Sequence, residues 1–185
     1  MLLAFFSLTK DHHKLPDIVE KVKAERDLLE KVVSHVPGYH GYKEKELRRE
    51  SDRLVRQQAA SFLKKASDSF KRSLASGQDL TDAKRAAADR LLARLDLTKE
   101  RINKAVGGYS GFFDVVKVRE DRLDKMITND FDLINLCYTL ADQINKIAKA
   151  GTASSGWTQL VEEAGSQIEK IEDALHTRDD ILTKV

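Results

Sequence analysis

The residues best suited to recognition chemistry in this chain are aromatic rings set among glycines, and they occur twice. The stretch HVPGYHGYKEKELRRE, residues 35–50, places Tyr39 and Tyr42 around Gly38 and Gly41. The stretch AVGGYSGFFDVVKVRE, residues 105–120, places Tyr109, Phe112 and Phe113 around Gly108 and Gly111. Rings beside exposed glycine backbone are apolar and hydrogen-bonding at once, which is the composition of interface hot spots. The competing reading needs no partner. Gly38 and Gly108 can take the positive φ that ends a helix, Gly41 and Gly111 permit close backbone approach, and the rings then cover helix ends.

Other reactive residues lack the companions that catalysis needs. A phosphate-binding glycine loop follows a strand and opens a helix, commonly with a Lys, whereas GGYSG follows a helical pattern and has no such Lys. Ser110 has no His near it in sequence to act as a general base. Asp173 and His176 give one acid-x-x-His spacing, with Glu172 as an i,i+4 alternative, but no second copy exists on another helix for a bundle metal site. His12 and His13 are adjacent and point about 100° apart in a helix. His40 is replaced by Ser110 in the second corner, so the repeated unit does not depend on it. The single Cys137 excludes an intramolecular disulfide framework and a Cys-based zinc site, fits a reducing cytoplasm, and reads as a small buried hydrophobe. The expectation is a non-enzymatic protein with no cofactor and no metal, an enzyme with a bundle-core site being the less favoured reading.

Five apolar stripes of helical period surround these corners. Helix 1 runs from about Pro16 to Val36 through Ile18, Val22, Leu29, Val32 and Val36. Helix 2, from about Tyr42 to Ser76, turns Leu47, Leu54, Val55, Ala59, Phe62, Leu63, Ala66, Phe70 and Leu74 inward, and Gly77 suits a left-handed cap. Helix 3 starts near Asp79 or Thr81, either of which can cap it, and carries Ala83, Ala87, Leu91, Leu95, Ile102 and Val106. Helix 4, from about Val118 to Ala150, carries Leu123, Ile127, Phe131, Ile134, Tyr138, Ala141, Ile144 and Ala148. After the loop GTASSG, helix 5 runs from Trp157 through Val161, Ala164, Ile168, Ile171, Leu175 and Leu182. Phe62, Leu91, Ile134 and Ile168 lie mid-stripe and should be core. No segment alternates with period two. The fold predicted is all-α, an up-down bundle of about five long, near-antiparallel helices in one domain. Its parts are an irregular apolar segment over 1–14, a first helical hairpin over 15–76, a second over 79–150, and a C-terminal helix over 157–185.

Aligning Val36–Glu50 with Val106–Glu120 gives six identities in fifteen positions, against about one from average composition. A duplicated helix–corner–helix unit follows. An up-down order puts both corners at one end of the bundle, related by a pseudo-twofold axis. The paired motifs GYHGYKEKELRRE and GYSGFFDVVKVRE resemble an uncharacterised family of small helical prokaryotic proteins, over roughly Val36 to Ile144. The resemblance implies the helical fold and the paired corners, and it carries no activity and no catalytic residue.

At 185 residues the chain suits one domain with a sizeable core, and its net charge of +2 does not call for nucleic acid. Charge is nevertheless segregated. Residues 53–72 hold six bases and one acid, while residues 157–185 hold seven acids and three bases. The two segments could attract one another within the bundle or between chains, or be two solvated faces. The partner expected is a protein or peptide, self-association included, meeting Tyr39, Tyr42, Tyr109, Phe112 and Phe113. The alternative is a peripheral membrane or coiled-coil scaffold in which Leu2, Leu3, Phe5 and Phe6 meet a membrane surface. That apolar run is far below the ~20 residues of a bilayer span, and it lacks the basic flank of a signal peptide.

Overall fold

Four of the five stripes are helical over the residues the structure describes. A computed structural model describes residues 26–39, 45–77, 80–104 and 120–183. The helices are α1 (residues 26–35), α2 (Lys45–Ser76), α3 (Asp82–Lys104), α4 (Glu120–Ala150) and α5 (Trp157–Thr183). No strand occurs among the described residues, and the architecture is an all-α bundle. No helix of the described residues is long and apolar enough to cross a membrane.

Local chemistry sets the ends. Thr81 caps α3, its Oγ1 accepting the Lys84 backbone N–H at 3.4 Å. Gly77 closes α2 without the left-handed conformation expected of it; positive φ occurs instead at Gly38, Gly151 and Gly156. The reason for glycine at 77 is space. A Cβ there would stand 2.7 Å from Thr152 Oγ1, where the α4–α5 loop crosses the end of α2. Lys84 Nζ donates to Thr152 O at 2.6 Å and ties the start of α3 to the same loop.

The long helices form a square. α2 packs on α3 and α4, and α5 packs on the same two helices. α2 and α5 therefore face each other across the core, as do α3 and α4. Directions alternate along the chain, but spatial neighbours are not all antiparallel. Phe62 meets Tyr138 and Ser73 Oγ donates to Ala148 O, so α2 and α4 run parallel. Arg94 pairs with Glu169 and Arg101 with Glu172, so α3 and α5 run parallel as well. The second corner thus joins helices on a diagonal, and the expected second hairpin opens across the core instead of closing on itself.

The core takes Val32 and Val36 from α1 and its C-terminal turn, Val55, Ala59, Leu63, Ala66 and Phe70 from α2, Leu91, Leu95 and Ile102 from α3, and Ile168 and Ile171 from α5. Leu91, Ile134 and Ile168 are buried as expected; Phe62 is partly buried and packs at the core margin. Ala83 is exposed, and Tyr138 keeps 49% of its surface. Tyr138 leaves the core because α4 buries a second line, Met126, Leu133, Cys137, Leu140 and Ile147, that a single-stripe reading misses. α4 needs that second line because it meets both α2 and α5. Tyr138 instead lies between His35 of α1 and Phe62 of α2, edge to face with each.

Candidate functional site

The first corner is built as its glycine implies. Tyr39 N–H donates to Val36 O at 3.1 Å, and Gly38 follows the end of α1 with φ of +83°. That reversal aims Tyr39 inward. Its ring is 3% exposed and its hydroxyl donates to Asp130 Oδ2 at 2.8 Å. Asp130 Oδ1 accepts from the Arg178 guanidinium, and neither Asp130 nor Arg178 has exposed surface. On the same seam the preceding residue, Asn129, donates from Nδ2 to Ala174 O, one turn before Arg178, at 3.0 Å. The corner after α1, the first third of α4 and the last turns of α5 are therefore joined by one carboxylate.

A buried charge is tolerated only when its partners are in place. Here a cation meets one carboxylate oxygen and a phenol the other. With Asp130 and Arg178 fully enclosed, a substrate has no route to this acid in the folded chain. The cluster fixes geometry. Tyr39, expected as an exposed partner anchor, is thus spent on an internal contact. Tyr42, Tyr109, Phe112 and Phe113, with Gly41, Gly108 and Gly111, lie outside the described residues, as do Leu2, Leu3, Phe5 and Phe6. Lys104 and Glu120, which flank the second corner, stand at the same end of the bundle as Tyr39, since α3 ends beside His176 and α4 begins one helical stretch before Asp130.

The same end carries an open groove. Leu97, Glu100, Arg101 and Lys104 of α3 face Glu172, Leu175, His176 and Asp179 of α5 around about 400 Å³. Leu97 is 52% exposed, and Arg101 crosses to Glu172 at 3.1 Å. Apolar floor residues with charges of both signs on the rim can hold a side chain and orient its backbone. His176 and Glu172 join this groove, while among the described residues no group of three or more His, Cys, Asp or Glu is arranged to hold a metal ion. Cys137 is fully enclosed, and burial pushes its thiol far above the ordinary range, away from thiolate chemistry.

Sequence reasoning missed Asp130, Arg178 and Leu97. The first two left a signal. Met126, Asp130, Leu133 and Cys137 follow helical spacing, as do Ile168, Ile171, Leu175 and Arg178. Opposite charges standing on two apolar stripes mark a buried pair. Leu97 left none, because one exposed leucine is ordinary. No family model, curated protein or solved structure matches the chain.

Proposed function

We propose that this chain is a non-enzymatic helical module that binds a segment of another protein in the α3–α5 groove at its corner end. The observation that carries the reading is the groove itself, with Leu97 half-exposed over Leu175 and Arg101, Lys104, Glu172 and Asp179 around it. The ligand this chemistry suits is an amphipathic helix or extended peptide with one apolar anchor and charges of both signs. The buried Tyr39–Asp130–Arg178 cluster supports the reading by holding the end of α5 in place, so that the groove is preformed and little ordering is lost on binding.

Site-specific photocrosslinking tests this. A photoreactive residue at position 97 should trap a discrete protein in the source cell, while one at the exposed position 89 should not. Leu97→Asp should abolish capture by a probe placed at position 100 with the helical circular dichroism unchanged. Identical adducts at 97 and 89, or capture indifferent to Leu97→Asp, would remove the groove as the site.

A further inference from the structure

The two charged segments lie on opposite edges of the molecule. α2 and α5 stand on one diagonal of the square, so the basic and acidic faces cannot neutralise each other within the chain. Arg53, Lys64, Lys65, Lys71 and Arg72 are all exposed on α2, with Asp68 as the acid among them. Glu162, Glu169, Asp173 and Asp180 are exposed on α5.

Their spacing is reciprocal. Arg53, Lys64 and Lys71 are separated by eleven and then seven residues, and Glu162, Glu169 and Asp180 by seven and then eleven. Both intervals are close to whole numbers of helical turns, so each trio forms one straight line of roughly 27 Å at 1.5 Å per residue. α2 and α5 run in opposite directions along the bundle. A second copy displaced along the diagonal without rotation lays its α5 antiparallel on the α2 of the first. In that register Arg53 meets Asp180, Lys64 meets Glu169 and Lys71 meets Glu162.

We propose that a second copy of this chain is the partner of these faces, docking head to tail, α2 of one copy on α5 of the next. The contact is heterologous, leaves one basic and one acidic edge free at the ends, and adds copies in an open row. Lys71 and Glu169 already touch Asp96 and Arg94 of α3, at 3.5 and 3.4 Å, and Arg53 and Asp180 also have partners within the chain, Gln57 Oε1 at 3.0 Å for Arg53, but all of these groups stand on the exposed surface, where such contacts are screened. They share their partners on docking. The row is independent of the α3–α5 groove, whose floor is Leu97 and Leu175.

Sedimentation of the nuclease-treated full chain decides it. At about 20 mM salt the mass should rise with concentration past a dimer, and at about 500 mM it should fall to the monomer, because screening shortens the reach of exposed charges to a few Å. The triple variants Arg53→Glu, Lys64→Glu, Lys71→Glu and Glu162→Lys, Glu169→Lys, Asp180→Lys should each be monomeric alone and associate when mixed. The neutral single variants Lys64→Gln and Glu169→Gln should each weaken association about threefold, which keeps the test valid should a triple variant fold poorly. A wild-type mass fixed at 20.9 kDa at low salt would overturn the proposal. So would association that neither neutral variant weakens, a mixture of folded triple variants that stays monomeric, or association seen only when the nuclease is omitted.

Discussion

A carboxylate without exposed surface has to be met on both oxygens, and Asp130 is met by Arg178 and Tyr39. Removing one partner from such a pair leaves a buried charge uncompensated. Arg178→Met should therefore destabilise by about 3–5 kcal/mol, and Tyr39→Phe, which deletes one hydrogen bond to a charged acceptor, by about 1.5–3 kcal/mol. The double variant Asp130→Leu, Arg178→Met should be milder than Arg178→Met alone. Urea melts of the four proteins check this; equal losses for single and double variants would show that the charges are not coupled. Tyr39 could be picked out of the sequence because glycine and ring recur together. Its inward direction could not, because a φ of +83° at Gly38 reverses the chain without saying which side the next ring takes.

At the scale of the element, the apolar stripes placed the helices well because periodicity measures the buried face directly. They failed where a helix has two buried faces. Ile134→Ala on α4 and Leu91→Ala on α3 should each cost about 2–5 kcal/mol. Tyr138→Ala, on the α4 face that a single stripe would bury, should cost less, since the ring is 49% exposed and meets His35 and Phe62 edge on. A Tyr138 loss equal to that of Ile134 in the same melts would return it to the core. Between α2 and α3, Asp96 works electrostatically. Partial burial alone would raise its pKa, but hydrogen bonds and charge from Lys99 and Lys71 outweigh that and hold it below the usual 3.8. A lowered folded pKa stabilises above the unfolded value and is lost as pH falls through the folded one. Asp96→Asn should thus cost up to about 1 kcal/mol at neutral pH, reduced by its exposure, and nothing in strong acid. A loss independent of pH would assign Asp96 a role other than charge.

For the whole molecule, alternation of direction follows from short connections, and the sequence is sufficient to derive it. Which helices become neighbours is a different matter, since an apolar stripe specifies burial and not the identity of the facing helix. The square in which α2 meets α4 and α3 meets α5 was accordingly not legible. Cys137 reports on the integrity of that square. Enclosed at its centre, it should react with an aromatic disulfide reagent at neutral pH only through opening of the bundle. The logarithm of its labelling rate should rise in proportion to the destabilisation produced by Ile134→Ala, the rate itself growing tenfold for every ~1.4 kcal/mol. Rapid labelling of the unmodified chain would mean that α4 opens locally.

The diagonal placement of α3 and α4 also has a kinetic meaning. The broadest helix–helix seam, α2 on α4, joins residues such as Phe62 and Tyr138 or Ser73 and Ala148, some 75 positions apart along the chain. The Tyr39–Asp130 bond spans 91. Contacts of that range are entropically costly to begin and raise the contact order above that of a bundle whose neighbours are consecutive in the chain. The α2–α3 and α4–α5 hairpins can therefore pair early, but neither is complete until the other arrives. Refolding should be slower than for sequentially wound helical bundles of this length. The bond from Tyr39 should belong to the last step, so that Tyr39→Phe speeds unfolding and leaves the folding arm of the chevron nearly unchanged.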